Sequence, residues 1–417
     1  SRDEEVIVNL TRFDLANVFQ GCNIYSISPY LDYTSNNPGL LKSILAKADS
    51  GVVTINEAIS IDSDDSLQSS RFKVRLPVHR VLTVTNLLAE IRVLNLLFMI
   101  ISGEVSLNKD NDPDTLRNKE DDLIVSDLFK YVLDKVSHKI TGNKTGNFLI
   151  YYLHIVGNKL DYNDKKIIEP RSSTFVADPF LLEHEEKIYC FYEEYDANLG
   201  KGQISVSEYK DSRFEYLGEA LKENYHLSYP YVFITNQDIY MVPETAEANQ
   251  VRLYKAADFP KEWKLETVLL DNISAVDTNI IYFQDYWWLF TNTDSSKSLY
   301  PGLKEHGLEL RIFYSKELTS NNWTPHRLNP VIFDSENARG AGFIKDNGNL
   351  IRVSQKKGFG NQYGKGISFQ KITELSSTLY TEEKFDLVEY VNFPKNFFVH
   401  HIDKFENLIV FDGRYFD

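Results

Sequence analysis

Cysteine is nearly missing from this sequence: Cys22 and Cys190 are the only two in 417 residues. That excludes a disulfide framework, and Cys190 falls inside an expected buried strand. Basic excess is also missing. The formal net charge is −15, so no cationic footprint offers itself to nucleic acid or another polyanion. Long apolar runs are absent as well. The most hydrophobic stretch, residues 96–101, is bracketed by Arg92 and Glu104, far short of a transmembrane segment. No signal peptide opens the sequence, so a cytoplasmic location is the expectation. No HxH or CxxC spacing points to a metal, and no cofactor is expected.

Aromatic residues are what the chain has in quantity: 13% of the composition, with 25 Tyr and 26 Phe. This suits a β-rich fold and surfaces that stack on sugars, although core packing accounts for most of them. The aromatics fall in a repeat. ADPFLLEHEEKIYCFYEE, SYPYVFITNQDIYMVPET, VDTNIIYFQDYWWLFTNT, RGAGFIKDNGNLIRVSQK and, more loosely, FVHHIDKFENLIVFDGR each read as strand, tight polar turn, strand. Copies begin roughly 50–60 residues apart, the interval of four-stranded propeller blades. Third strands are expected at residues 203–209, 251–254, 310–314 and 366–369. The fifth copy has no such sequel before Asp417. Residues 147–154 and 165–168 supply its missing strands, so a five-bladed ring closes from both ends of the segment.

The preceding part differs. Strands are expected at residues 6–10, 22–25, 52–55 and 71–75, and helices at 38–48, 86–101 and 121–138. The expected organisation is multidomain and mainly β: an α/β domain over residues 1–140 and a five-bladed β-propeller over 141–417, its last blade closed by strands from 146–170 and 398–417. The glycine-rich run 356–364 follows a strand but precedes no helix, which argues for a rim loop and against a phosphate loop.

In a propeller, the start of each inner strand and the end of the next lie on one face. Aligning the copies therefore selects residues before any function is assumed. Inner-strand starts give Asp178, Tyr229, Asp277 and Arg339 with Gly340, and His400 and His401 lie close by. Second-strand ends give Glu193, Glu244, Asn292 and Gln355, with Asp412 near the fifth, and entering loops add His226, Asp294 and Tyr363. Carboxylates, histidines and an arginine gathered at an axis suit acid–base chemistry on a polar ligand, because crowded carboxylates push their pKa values apart. Capping of turns by single Asp or Asn residues is the plainer alternative.

Several pieces carry a family resemblance: FVADPF at 175–180, HLSYP at 226–230, MVPET at 241–245, AVDT at 275–278, ARGAG at 338–342, and Gln355 with Tyr363-Gly364. From about residue 146 onward the chain resembles the N-terminal domain of the glucosamine inositolphosphorylceramide transferase family, also found in bacterial polysaccharide-synthesis proteins. More distantly it is similar to the five-bladed glycoside hydrolases of families 43 and 32. That second likeness implies Asp178 as base or nucleophile, Asp277 as an orienting carboxylate and Glu244 as the acid. The hydrolases' own acid motif is not reproduced. Upstream, GCNIYSISP at 21–29, SGVVTI at 50–55 and IDSDD at 61–65 resemble the catalytic half of folate-dependent formyltransferases. Tyr25 stands where that family's catalytic histidine belongs, so the segment reads as a degenerate structural remnant.

The expected function is glycan assembly: glycosyl transfer in polysaccharide or glycoconjugate biosynthesis at the axial carboxylates. The implied partners are a sugar or nucleotide-sugar substrate, a glycan acceptor and membrane-proximal biosynthetic proteins. A non-catalytic glycan-binding or scaffolding propeller is the alternative, then a glycoside hydrolase, then a sugar N-formyltransferase. Asp178, Glu244 and Asp277 are the candidate catalytic residues. Glu193, His226, Tyr229, Asn292, Arg339, Gln355, Tyr363, His400 and His401 are the candidate substrate-binding residues.

Overall fold

The computed structural model describes 148–155, 162–171, 174–294, 306–346, 348–358, 362–385, 393–394 and 396–415, together with the backbone of four strands nearer the N-terminus. Those four are Val6–Asn9, Asn23–Ile27, Ser50–Ile59 and Gln68–Pro77, paired in chain order, the first two parallel and the others antiparallel. The expected helices, the loop carrying Asp62 and Asp65, and the side chains on which the formyltransferase likeness rests lie outside the described residues.

The repeat segment is a five-bladed β-propeller. Blade 1 comprises Thr174–His184, Lys187–Asp196, Lys201–Lys210 and Arg213–Leu221; blade 2 comprises Ser228–Thr235, Asp238–Glu244, Gln250–Asp258 and Glu262–Asp271. Blade 3 runs through Ala275–Phe283, Tyr286–Thr293 and Glu309–Ser315, whose outer edge takes Thr324–Pro325 and Ile332–Phe333. Blade 4 comprises Gly340–Asp346, Asn349–Gly358, Gln362–Leu375 and Tyr380–Phe385. Blade 5 orders Phe397–Phe405, Leu408–Tyr415, Leu149–His154 and Lys166–Ile168 in one sheet. Each inner strand touches the next, and that of blade 5 touches that of blade 1. The ring is therefore closed, and no inner strand is left as a free edge. The described ends of the glycine-rich run belong to paired strands, with Gly358 opposite Gln362.

An apolar cluster fills each space between neighbouring blades, which is why the repeated strands are hydrophobic on both faces. Phe180, Phe191 and Val206 meet Tyr229, Met241 and Trp263 between blades 1 and 2. Val242 and Leu253 meet Ile280, Leu289 and Trp323 between blades 2 and 3. Trp288, Phe290 and Ile312 face Leu375 and Tyr380 between blades 3 and 4. Ile351 and Val353 face Tyr151, Phe397 and Phe411, and Cys190 and Tyr192 face Ile150 and Val410, completing the circle. Trp287 and Trp288 divide as alternation along a strand requires: Trp288 packs toward blade 4, and Trp287 lies 6.0 Å, ring to ring, from Phe233 of blade 2.

The inner hairpins of all five blades close through two-residue turns, pairing His184 with Lys187, Thr235 with Asp238, Phe283 with Tyr286, Asp346 with Asn349 and Phe405 with Leu408. At the other end of the hairpins the register breaks in every blade, between Ala177/Phe180, Ser228/Tyr231, Val276/Asn279, Gly340/Phe343 and Val399/His401. These five β-bulges sit around the axis. A bulge bends the strand and re-aims the extra side chain, and the site is built on this device.

Candidate functional site at the propeller axis

Within the bulges of blades 1–3, Asp178, Tyr229 and Asp277 have φ of +52°, +47° and +52°. Such left-handed geometry in a residue other than glycine costs on the order of 1–3 kcal/mol and concentrates at functional positions. Three blades carry it at one repeat position. In blade 4 the positive-φ residue lies further along the bulge and is a glycine: Gly342 has φ +115°, and a Cβ there would stand 2.6 Å from the Ile402 carbonyl oxygen and 3.2 Å from His401 Nε2.

The re-aimed groups engage one another across the axis. Asp412, fully buried, accepts from the backbone N–H of Asp178 at 2.8 Å, from that of His401 at 2.7 Å and from His400 Nδ1 at 2.9 Å. Asp178 Oδ2 accepts from the Tyr229 N–H at 3.2 Å, and its Oδ1 lies 3.3 Å from His400 Nδ1. Arg339 Nε donates to Asp277 Oδ2 at 2.7 Å. The Tyr229 hydroxyl donates to Asn279 Oδ1 at 2.8 Å. Asp178, His400 and Asp412 each bring one donor atom into a group spanning no more than 4.8 Å, a set able to ligate a cation. His400 Nδ1 lies within 3.3 Å of an oxygen of each of the two carboxylates, Asp178 and Asp412.

Burial and like charge move these groups in opposite directions. Burial, reinforced by the charges of Asp412 and Asp277, raises Asp178 to about 7 against the pull of His400. Burial, reinforced by Asp277 and Asp178, raises Glu244 to about 8 although Arg339 opposes it. Glu193 is raised by burial and then by Asp178 and Glu244. Burial alone would lower His400, but Asp412 and Asp178 outweigh it and the imidazole is raised; Asp412 is lowered because His400 outweighs its own burial. At neutral pH the axis therefore holds an ion pair beside a Glu244 carboxyl that keeps its proton.

The candidates fall into two layers. Glu244, Arg339 and His226 are partly exposed. Asp178, Glu193, Tyr229, Asp277, Asn292, Gln355, His400 and His401 are buried behind them. His226 Nδ1 accepts from the Gly202 N–H at 2.9 Å, which directs Nε2 toward Glu193 Oε1, 3.6 Å away. Only glycine fits at position 202, where a Cβ would stand 2.4 Å from the Leu227 carbonyl and 2.7 Å from Glu193 Oε1. Asn292 is engaged with backbone, donating to Glu309 and Ala338 carbonyls and accepting from the Gly340 N–H. Gln355 donates to the Gly340 carbonyl. His401 turns away from the other polar groups, 4.4 Å from the Phe180 ring and 5.2 Å from that of Tyr229, and burial lowers it to about 3. The Tyr363 side chain lies outside the described residues; its neighbour Gly364, at φ +65°, would place a Cβ 3.3 Å from His400 Cβ.

Sequence alignment missed several buried polar groups nearby. Glu309 is fully buried and accepts from Thr293 Oγ1 at 3.1 Å. Asp403 accepts the Leu181 N–H at 2.8 Å, and burial raises it to about 7. Lys357 is also buried. Its signal was alternation, since it lies two residues past Gln355 on the same strand. Glu309 and Asp403 lie at positions the repeat does not mark as axial.

The family described as glucosamine inositolphosphorylceramide transferase 1, N-terminal, matches residues 164–397, more than half of the chain. The glucosamine inositolphosphorylceramide transferase 1 of Oryza sativa subsp. japonica is 34% identical over 242 residues, covering 55% of this chain and 31% of that protein. Its Arabidopsis thaliana counterpart is 38% identical over 216 residues, covering 50% and 27%. The chain thus spans less than a third of the length of these relatives. Among solved structures, the family 117 glycoside hydrolase Zg3597 of Zobellia galactanivorans aligns with a TM-score of 0.43 at 11% identity, over 64% of this chain and 90% of that one. A putative glycoside hydrolase from Bacteroides ovatus aligns with a TM-score of 0.45 at 12% identity, over 65% and 97%.

Proposed function

We propose a role in glycosyl transfer from one premise: the chain belongs to the glucosamine inositolphosphorylceramide transferase N-terminal family. In this reading the axial end of the propeller binds a sugar or nucleotide sugar, with a glycan or glycoconjugate as acceptor. The observation that carries it is the convergence of Asp178, Glu244 and the Asp277–Arg339 pair on one axis, with Glu244 raised to about 8 and partly exposed.

Glycosyl transfer breaks the bond from the donor's anomeric carbon to its leaving group and forms a bond to an acceptor oxygen, and the proton that the acceptor loses balances the one taken up by the departing group. Glu244, protonated at neutral pH, is placed to give a proton or a hydrogen bond to an oxygen of the bound sugar. Asp277, its charge held by Arg339, faces positive charge that develops at the anomeric carbon. Asp178 lies a layer deeper and acts through Glu244, whose pKa its charge raises. His226 and Arg339 contact hydroxyls or an anionic group at the rim.

A second reading has its own observation. The matched family is described as N-terminal, and the chain covers 27–31% of the relatives. Under it the propeller holds a saccharide while the chemistry is carried elsewhere. Calorimetric titration with nucleotide sugars and oligosaccharides, beside a product assay, separates the two. Binding with turnover that Glu244→Gln abolishes supports catalysis at the axis; binding with turnover unaffected by Glu244→Gln supports the holding role.

A further inference from the structure

The end of the ring opposite the axial site carries a cavity of about 500 Å³, flanked by the inner turns of blades 2 and 3. Its size falls in the range of about 300–1,000 Å³ occupied by small-ligand pockets. Phe233, Tyr282 and Trp287 line it, with Lys316 and Lys345. The rings form one wall: Tyr282 and Trp287 lie 5.1 Å apart and Phe233 and Trp287 6.0 Å apart, centre to centre.

This wall meets solvent. Tyr282 is 55% exposed, and Ile234, which lines the cavity from the blade 2 strand, is 42% exposed. Single exposed apolar residues need no explanation, but a contiguous group marks a contact surface. Lysine is the second signal. In a chain of net charge −15, blades 3 and 4 each bring a lysine to the lining of this cavity: Lys316, whose ammonium lies 5.0 Å from the Tyr286 ring centre, and Lys345. Asn236 adds a side-chain amide from the blade 2 turn.

A sugar ring matches this combination. The C–H face of a pyranose is apolar and packs flat on an aromatic ring. Its hydroxyl edge takes hydrogen bonds from amide and ammonium groups, and a carboxylate or phosphate substituent complements the lysines. An alkyl chain would satisfy the rings and strand the ammonium groups in an apolar contact. We propose that this cavity is a second carbohydrate site, selective for an acidic pyranose and separate from the axis.

Saturation-transfer NMR on the full chain with glucuronic acid, glucose 6-phosphate and glucose tests it. Transfer to the ring protons of at least one acidic sugar, stronger than to glucose, is expected, and the two acids distinguish carboxylate from phosphate recognition. Tyr282→Ala is expected to weaken binding about tenfold through loss of one stacked ring, while Tyr282→Phe retains it. Joint replacement of Lys316 and Lys345 by glutamine is expected to reduce the acidic sugars to the level of glucose. Asp178→Asn, at the axis, is expected to leave this binding unchanged, so the axial reading stands or falls independently. No transfer to any of the three sugars, or transfer undiminished by Tyr282→Ala in a protein of unchanged circular dichroism, would overturn the proposal. A self-association abolished by Tyr282→Ala without sugar binding would overturn it in favour of a second copy.

Discussion

The two ends of the propeller are made from the same five hairpins, yet one is charged and the other aromatic. At the axial end the strands carry bulges, and left-handed residues turn Asp178, Tyr229 and Asp277 toward one another. Groups so close must pair by charge, and they do: Arg339 with Asp277, His400 with Asp412. At the turn end the register is unbroken and side chains simply alternate, so large rings such as Tyr282 and Trp287 lie side by side around a cavity. The difference shows where sequence identity is constrained. Charge must balance at the axis, whereas area and shape suffice at the turns.

The comparison breaks most visibly at Asp412. Replacing it with alanine strands His400 and the N–H groups of Asp178 and His401 in a buried site. A loss of about 3–5 kcal/mol in urea unfolding is expected; a loss below about 1 kcal/mol would mean the axial network is not a structural unit. Glu244→Gln keeps shape and sits partly exposed, so stability should change by less than about 1 kcal/mol. Turnover in a glycosyl-transfer assay should nonetheless fall by about 100-fold or more.

A pH series sharpens the contrast. Asp178 and Glu244 are raised from 3.8 and 4.5 to about 7 and 8, so the folded state holds their protons more tightly than the unfolded chain. Their effect is to reduce stability as pH rises through that window, by about 1 kcal/mol per pH unit for each proton involved. His400, raised above its ordinary 6.5, contributes stability that is complete below 6.5 and is lost as pH rises through its folded value. Asp412, lowered, contributes stability present above 3.8 and lost as pH falls through its folded value. Thermal midpoints should therefore peak in mild acid and fall toward alkaline pH, and Asp178→Asn should flatten that fall. Tyr282→Ala, at the turn end, should change stability by less than about 0.5 kcal/mol at any pH. A midpoint shift as large as that of an axial variant would show that the aromatic wall is core.

Much of this fold was legible because the propeller repeats itself. The alternation in IYCFYEE, IYMVPET and YWWLFTNT marked second strands, and the matched places of Asp178, Tyr229 and Asp277 marked the axis. The bulges were not legible. Asp-Pro, Tyr-Pro and Asp-Thr share no turn chemistry, and the left-handed backbone is imposed by packing around the ring. Depth was hidden for the same reason: Asn292 and His401 occupy axial positions in sequence but face backbone and aromatic rings. The Arg339–Asp277 contact joins residues 62 positions apart, beyond any local pattern. The turn-end cavity has no local signal, because Phe233, Tyr282 and Trp287 look like strand filler until blades 2 and 3 are brought together.

The most direct test of the central claim is a crystal structure of the full chain soaked with nucleotide sugars. The account predicts a sugar at the axial end, within hydrogen-bond distance of Glu244 and flanked by His226 and Arg339. A sugar bound only elsewhere, with Glu244 and Arg339 untouched, would contradict it.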